Sequence, residues 1–428
     1  MTSMLRVVAA HFGRDVENAD LVSHHLLDTI GAWLAGRDSS EGQEIARAQI
    51  APALSSGVLD DIVREVAITR LTEIDDIHRA SCTTCGSVII PTALLLAQAL
   101  NSDRKTFLRA VVHGYEAMMR LGQAANGPAI LAKGIWSSYL VAPFGAATAA
   151  SILLGLTEER AANALALALQ QSSGAPGGHP HGKSARWLLI GYAARIGVTS
   201  ALMAQQGYAG DLTLLDGDWL ERTHGISLNP AAFHNLSPCF HETSMKAWCS
   251  AKQTTSAIGA FRRLLARGLN ADEIVRIQVA VPNAYQMMIS SQPPGRLGRI
   301  VNLGWQFGLC AYAPESMLSL DRNCGAKESA VTELARKVEV VADPCLNSAY
   351  PKTWPARVRI LMNDGSHHEQ ESHSALGDPE LPMSPTELRM KFDAVTRGKA
   401  QDIATVLEHP LSDESFKSLL GHLRARLG

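Results

Sequence analysis

Apolar residues three and four positions apart dominate the first part of the chain. Asp20 to Leu34 (DLVSHHLLDTIGAWL) has this period and predicts an amphipathic helix. Ser87 to Leu100 (SVIIPTALLLAQAL) is apolar almost all round and predicts a buried one. Asn101-Ser-Asp-Arg opens the next, with Ser102 or Asp103 as cap before the apolar face of Phe107, Leu108, Val111 and Tyr115. Ala142 to Leu154 is rich in Ala and Gly and reads as buried on most sides. Thr157 caps a helix over Ala161 to Gln171, with Arg160 where a capping box would place an acid. Arg186 to Gln206 predicts a long helix stopped by Gly207.

The texture changes at Gly268. Ile274 to Val281 alternates and is β-branched, which predicts a strand; Val338 to Ala342 and Ala356 to Met362 read the same way. The last runs into Asn363-Asp-Gly365, a hairpin turn, and on to His367 through His373. Lys327 to Lys337 predicts a helix between the strands. Ser384-Pro-Thr-Glu opens another, and the tail from Ser412 is again helical. The expected architecture is mainly α: a large all-helical domain, residues 1–262 with 400–428, and a smaller α+β domain, residues 263–399.

Composition narrows the function classes. The formal net charge is −2 and no basic face stands out, which argues against nucleic acid. No apolar run approaches the roughly 18 residues of a membrane span, so no membrane association is expected. Arg6 and early acids make the start unlike a signal peptide. Seven cysteines, thinly scattered over 428 residues, fit reduced thiols in a cytoplasm. Abundant Ala and Gly favour helices packed backbone to backbone.

The richest chemistry lies in Leu71 to Pro91 (LTEIDDIHRASCTTCGSVIIP), where Glu73, Asp75, Asp76, His78 and two cysteines precede an apolar helix. Titratable groups crowded against a buried helix predict an active-site wall. Cys82 and Cys85 form a Cys-x-x-Cys without a second pair at metal spacing, so no metal is expected there.

Several strings now line up: TTCGSVIIP, then Gly134 to Ala147 (GIWSSYLVAPFGAA) with LLGLTEE after it. GKSARWLLIGYAARIGVTSALMAQQGYAGD, Lys246-Ala-Trp-Cys-Ser-Ala, ELARKVEVVADP and the Asn-Asp-Gly hairpin follow. In this order they resemble the MmgE/PrpD family, which includes 2-methylcitrate dehydratases, cis-aconitate decarboxylases and iminodisuccinate epimerases. The resemblance implies a helical domain with an α+β lid, a homodimer, and no metal or organic cofactor. It also implies a substrate with two or three carboxylates and proton removal next to one of them.

The site positions depart from the family's pattern. Its Asp-x-Asp-Asp-Thr is Glu73-Ile-Asp75-Asp76-Ile77 here. Its two histidines fall on Thr84 and Trp136, its Lys-Arg-Leu becomes Arg186-Trp-Leu, and its lysine is kept as Lys246. Lys246, read as entering an apolar helix, is the first proton-transfer candidate. His78 is the second, with Glu73 or Asp76 in support; each also reads as a plain cap or surface group. Arg186 and the Gly177–Lys183 loop, with His179, His181 and Lys183, are the carboxylate-binding candidates, and Thr84 and Trp136 line the pocket. The expected activity is that of a cofactor-independent, dehydratase-like lyase. An epimerase using Tyr139 with Lys246 is one alternative; a non-catalytic carboxylate-binding homologue is the other.

Overall fold

The computed structural model describes residues 3–12, 14, 20–47, 57–174, 186–234, 238–290, 295–320 and 324–427. The chain divides into two compact units. One holds the chain through Thr243 and resumes at Ser384; the other is Ser244–Met383.

The first unit is helical. Its main elements are Asp20–Asp38, Val58–Arg70, Gly86–Leu100, Arg104–Ala124, Ser137–Leu153, Glu158–Gln170 and Arg186–Gln205. The expected caps form: Asp103 accepts from the Thr106 amide at 2.8 Å, and Ser384 with Glu387 makes a full capping box. Thr157 accepts from Arg160 N at 3.4 Å, the half box that the sequence suggests.

Small residues let these helices press together. A Cβ at Gly191 would lie 2.1 Å from the Val63 carbonyl oxygen, and one at Gly145 would lie 2.3 Å from Met118 Cγ. Arg186–Gln205 thus packs against Val58–Arg70, Ser137–Leu153 and Glu158–Gln170. By length and composition this helix could cross a bilayer, contrary to the sequence expectation, but 56% of its apolar window is buried inside the protein. Its hydropathy reflects a core position with protein on several sides.

The second unit is built on a four-stranded sheet in the order Val338–Ala342, Ile274–Val281, Ala356–Met362, His367–Ser372. The first pair is parallel, with Glu328–Arg336 preceding the edge strand; the others are antiparallel. Gly365, at φ +83°, makes the hairpin turn that Asn-Asp-Gly encodes. Lys252–Ala266 packs on the sheet, and its Phe261 stacks on Phe307 with centroids 4.3 Å apart. Lys252 forms a buried ion pair with Asp378.

The unit boundaries differ from the expected 262/263 and 399/400 by one helix each. Lys252–Ala266 covers strands Ala356–Met362 and His367–Ser372, so it goes with the sheet. Pro385–Thr396 packs along Asp20–Asp38, so it goes with the helices. The reason in the second case is a buried lysine. Lys391 Nζ donates to Asp28 Oδ1 at 2.5 Å and to the Ile74 carbonyl at 3.0 Å.

Removing one member of a buried ion pair strands the other in a medium that solvates it poorly. Lys391→Met is therefore expected to destabilise the helical unit by about 3–5 kcal/mol, read from denaturant unfolding. Adding Asp28→Asn to that variant should recover part of the loss. A double variant as unstable as the sum of the singles would show that the pair is not coupled.

Candidate active site in the helical unit

Every residue from Leu71 to Arg79 is buried. Ionised side chains buried this densely are costly unless each has a partner. Arg70, the last residue of Val58–Arg70, supplies the first partner. Its Nη1 lies 3.0 Å from Glu73 Oε2 and 3.2 Å from Asp75 Oδ1. Burial alone would lower the Arg70 pKa, but the two carboxylates outweigh it and raise it. Glu73 sits at φ +58°, in the left-handed region, a conformation that costs about 1–2 kcal/mol for a residue with a Cβ. The tight turn directs its carboxylate back to the arginine three residues earlier.

Asp76 faces the other way. Its Oδ1 accepts from the Gly86 amide at 2.8 Å, at the start of Gly86–Leu100. Its Oδ2 accepts from Tyr115 Oη at 2.8 Å and faces His25 Nδ1 at 3.4 Å. Both oxygens are thus engaged with groups on three helices. Burial, with the Asp76 charge adding to it, pushes the Tyr115 pKa well up.

His78 pairs with Thr83 through both backbone groups, at 2.8 and 3.2 Å, across a turn in which Cys82 has φ +53°. Its ring is buried between Ser81 Oγ, 2.7 Å from Nδ1, and Glu242 Oε2, 3.3 Å from Nε2. Contact with His78 holds the Glu242 pKa below its ordinary value, against a weaker upward push from burial. The Cys85 thiol lies 3.5 Å from Thr83 Oγ1, and burial raises its pKa well above the usual range. A thiol held neutral in this way is a poor metal ligand or redox nucleophile.

Four of the expected site residues do come together. Arg186, the first residue of Arg186–Gln205, is 3% exposed, and its guanidinium carbon sits 3.6 Å from the Trp136 ring centroid. A second indole, Trp187, lies 5.2 Å from it and 5.5 Å from that of Arg70. Tyr139 meets Trp136 edge to face at 6.4 Å. Its hydroxyl lies in the field of Arg186 and Arg70 without a well-aligned hydrogen bond, and burial still raises its pKa. Burial likewise lowers the Arg186 pKa, while Tyr139 and Glu73 pull it back up. An arginine remains charged at working pH despite such a shift.

The site therefore combines a planar cation over the face of an indole, a protonated phenol and a carboxylate. It lies at the start of a long helix, where first-turn amides favour anions. It is suited to holding a carboxylate with a proton donor beside it. Thr84 lies in the adjoining layer. Its amide and hydroxyl reach Ser138 Oγ at 2.9 and 3.1 Å, so its side chain ties the Leu71–Pro91 stretch to Ser137–Leu153.

Lys246 belongs to the other unit. It is buried, but it does not enter a helix as expected: residues 245–250 are irregular and Lys252–Ala266 begins beyond them. Backbone bonds from Met245 to Gly377 and from Cys249 to Met317 fix that segment. His179, His181 and Lys183 lie outside the described residues. Of the hairpin histidines, His367 and His373 are exposed.

Sequence reasoning passed over Arg70, Ser138, Trp187 and Glu242. Arg70 had a legible signal, a basic residue closing a helix three positions before Glu73; Glu242, 164 residues from its partner His78, had none. A cavity of about 130 Å³ is lined by Tyr139, Gln171, Ser173 and Tyr192 among others, next to the cluster. A larger one, about 360 Å³ and lined by Phe12, Arg109 and Thr157 among others, contains none of the candidate residues.

Residues 66–223 match the MmgE/PrpD N-terminal domain and residues 248–408 the C-terminal domain. The cis-aconitate decarboxylase of Aspergillus terreus is 32% identical over 375 residues, 80% of this chain and 75% of that protein. Human cis-aconitate decarboxylase is 25% identical over 409 residues, 86% of this chain and 81% of that one. The cis-aconitate decarboxylase-like protein oryM of Aspergillus oryzae is 31% identical over 151 residues, 34% of this chain and 31% of its own length.

The His78–Glu242 contact carries a pH signature. The folded-state pKa of Glu242 is below its ordinary 4.5, so its stabilisation is present above that value and lost as pH falls through the folded one. Glu242 is half exposed, and solvent screening limits the effect to less than about 1 kcal/mol. Glu242→Gln should lower thermal stability slightly at neutral pH, and the difference from wild type should close below pH 4.5. A gap that persists or widens in acid would rule out this contact as its source.

Proposed function

The chain belongs to the MmgE/PrpD family, and on that premise we propose that it is a cofactor-independent lyase acting on a small polycarboxylic acid through a carbanion next to a carboxylate. The observation that carries this reading is Arg186, buried and stacked on Trp136 at a helix N-terminus with Tyr139 beside it. Relatives named for the decarboxylation of cis-aconitate support the substrate class.

A substrate carboxylate accepts N–H bonds from the planar Arg186 fork, which the Trp136 indole helps to hold in place. A carbanion formed beside that carboxylate delocalises into it, and the guanidinium stabilises the charge that accumulates there. In a decarboxylation, the C–C bond to a second carboxylate breaks, CO₂ leaves with no electron pair, and a donor protonates the carbon that kept it. In a dehydration, a base takes the α-proton and the β-hydroxyl leaves with a proton from an acid. Lys246 is the proton-transfer residue of choice, because an amine serves as base and an ammonium as acid. His78 and Tyr139 are the further donors to test; Thr84 and Trp136 stand where the family carries histidine and offer no imidazole for either step.

A homodimer in a cytoplasm belongs to the same reading. Leu189, Tyr192 and Met203, each about 40–48% exposed along Arg186–Gln205, provide an apolar face for self-association.

The test is an NMR screen in D₂O against cis-aconitate, citrate, 2-methylcitrate, iminodisuccinate and related amino diacids. Release of CO₂ or water with a new vinylic signal is the expected result. Deuterium uptake without net conversion would replace the lyase by an epimerase. Silence across the panel from a folded protein would overturn both. Once activity is found, Lys246→Ala should reduce kcat by at least about 10²-fold, and full retention would remove Lys246 from the mechanism. Arg186→Gln should raise KM and lower kcat together, because the carboxylate is held in both ground and transition states.

A further inference from the structure

The N-terminal helix Met4–Phe12 meets Arg104–Ala124 through a group of side chains that the proposed chemistry does not use. His11 Nε2 and His113 Nδ1 lie 3.7 and 3.5 Å from the same carboxylate oxygen, Glu116 Oε2. One ligand atom from each residue falls within 4.8 Å of the others. These separations are long for hydrogen bonds. They suit three ligands around one ion, since tetrahedral bonds of about 2.0–2.1 Å place ligand atoms about 3.3 Å apart.

The hydrogen bonding around the group points the same way. His113 Nε2 is 3.0 Å from the Arg14 carbonyl oxygen, which can only accept, so Nε2 carries the proton. In a neutral ring, Nδ1 then presents a lone pair toward a carboxylate that also offers only lone pairs. Two acceptors face each other, and a cation is what would make the contact attractive. Glu116 Oε1 is separately fixed by the Cys239 amide at 3.1 Å. A backbone carbonyl behind one ligand and a backbone amide behind another are the supporting contacts that metal ligands commonly have. His11 is 12% exposed, which leaves an access route.

We propose that His11, His113 and Glu116 bind one divalent ion of the zinc class and so fasten the N-terminal helix to Arg104–Ala124. Two imidazoles and one carboxylate suit zinc, cobalt or nickel better than calcium or magnesium, and a water completes the tetrahedron. The role is structural: the proposed lyase chemistry passes through none of these side chains.

The test uses the full chain, purified without a histidine tag, stripped with a chelator and dialysed. Cobalt(II) is added while visible absorption is followed, and zinc is then titrated against a chromophoric competitor. One cobalt per chain with the intense d–d bands of low-coordinate geometry is expected, displaced by one equivalent of zinc, with a higher Tm for the loaded protein. His11→Ala and Glu116→Gln should each weaken zinc binding by more than about tenfold. His11 lies near the end of a short helix, so its variant should fold even if a change at the buried Glu116 does not. No saturable binding in the micromolar range would overturn the proposal. Binding undiminished in both variants would place the ion elsewhere, for example at the exposed Cys345, and would overturn it equally.

Discussion

The helical unit depends on neutralising the charges buried between Arg70 and His78. Their partners come from several different elements. Arg70 answers Glu73 and Asp75 from the helix just before them. Asp76 is answered by the first amide of Gly86–Leu100, by Tyr115 and by His25. Lys391 arrives from the far end of the chain to hold Asp28 and the Ile74 carbonyl. Such contacts add little net stability over apolar packing, because desolvation offsets much of the attraction. They do specify geometry, since any helix that slides leaves a charge without its partner.

That constraint also shapes the site. Because Glu73 and Asp75 are drawn to Arg70, the carboxylates of the turn are kept close to one guanidinium. Arg186, one helix over, is steadied mainly by the face of Trp136 and by Tyr139. An indole contributes attraction without contributing a full negative charge. A histidine at position 136 could exchange protons there; a tryptophan shapes the pocket and orients the guanidinium. On the proposed reading, the replacement favours binding over proton chemistry at this wall and leaves Tyr139, His78 and Lys246 as the candidates for proton transfer.

Much of this was legible in the chain. Period and capping chemistry place the helices around Asp20, Asp103, Thr157 and Ser384, and the Asn-Asp-Gly turn places the last hairpin, because these signals act within a few residues of backbone. The strings that resemble the MmgE/PrpD family lead to the family that the whole-chain comparisons show. Where the sequence misled, the cause was long-range. Lys246 looked like a helix start because apolar residues follow it, yet backbone bonds to Gly377 and Met317 hold that segment out of helix. Arg186–Gln205 looked like any long helix, and only its neighbours explain why it is apolar enough for a bilayer.

By itself, then, the sequence determined the elements, the family and the stretch where the chemistry is concentrated. Tertiary structure decided which partner each residue of that stretch meets. Asp76 and Thr84 became fasteners, Glu73 went to Arg70, and Arg186 settled on Trp136, because a buried polar group is defined by the partner that folding brings within about 3 Å of it. Partners such as Lys391 for Asp28, 363 positions away, leave no local trace for periodicity or spacing to report.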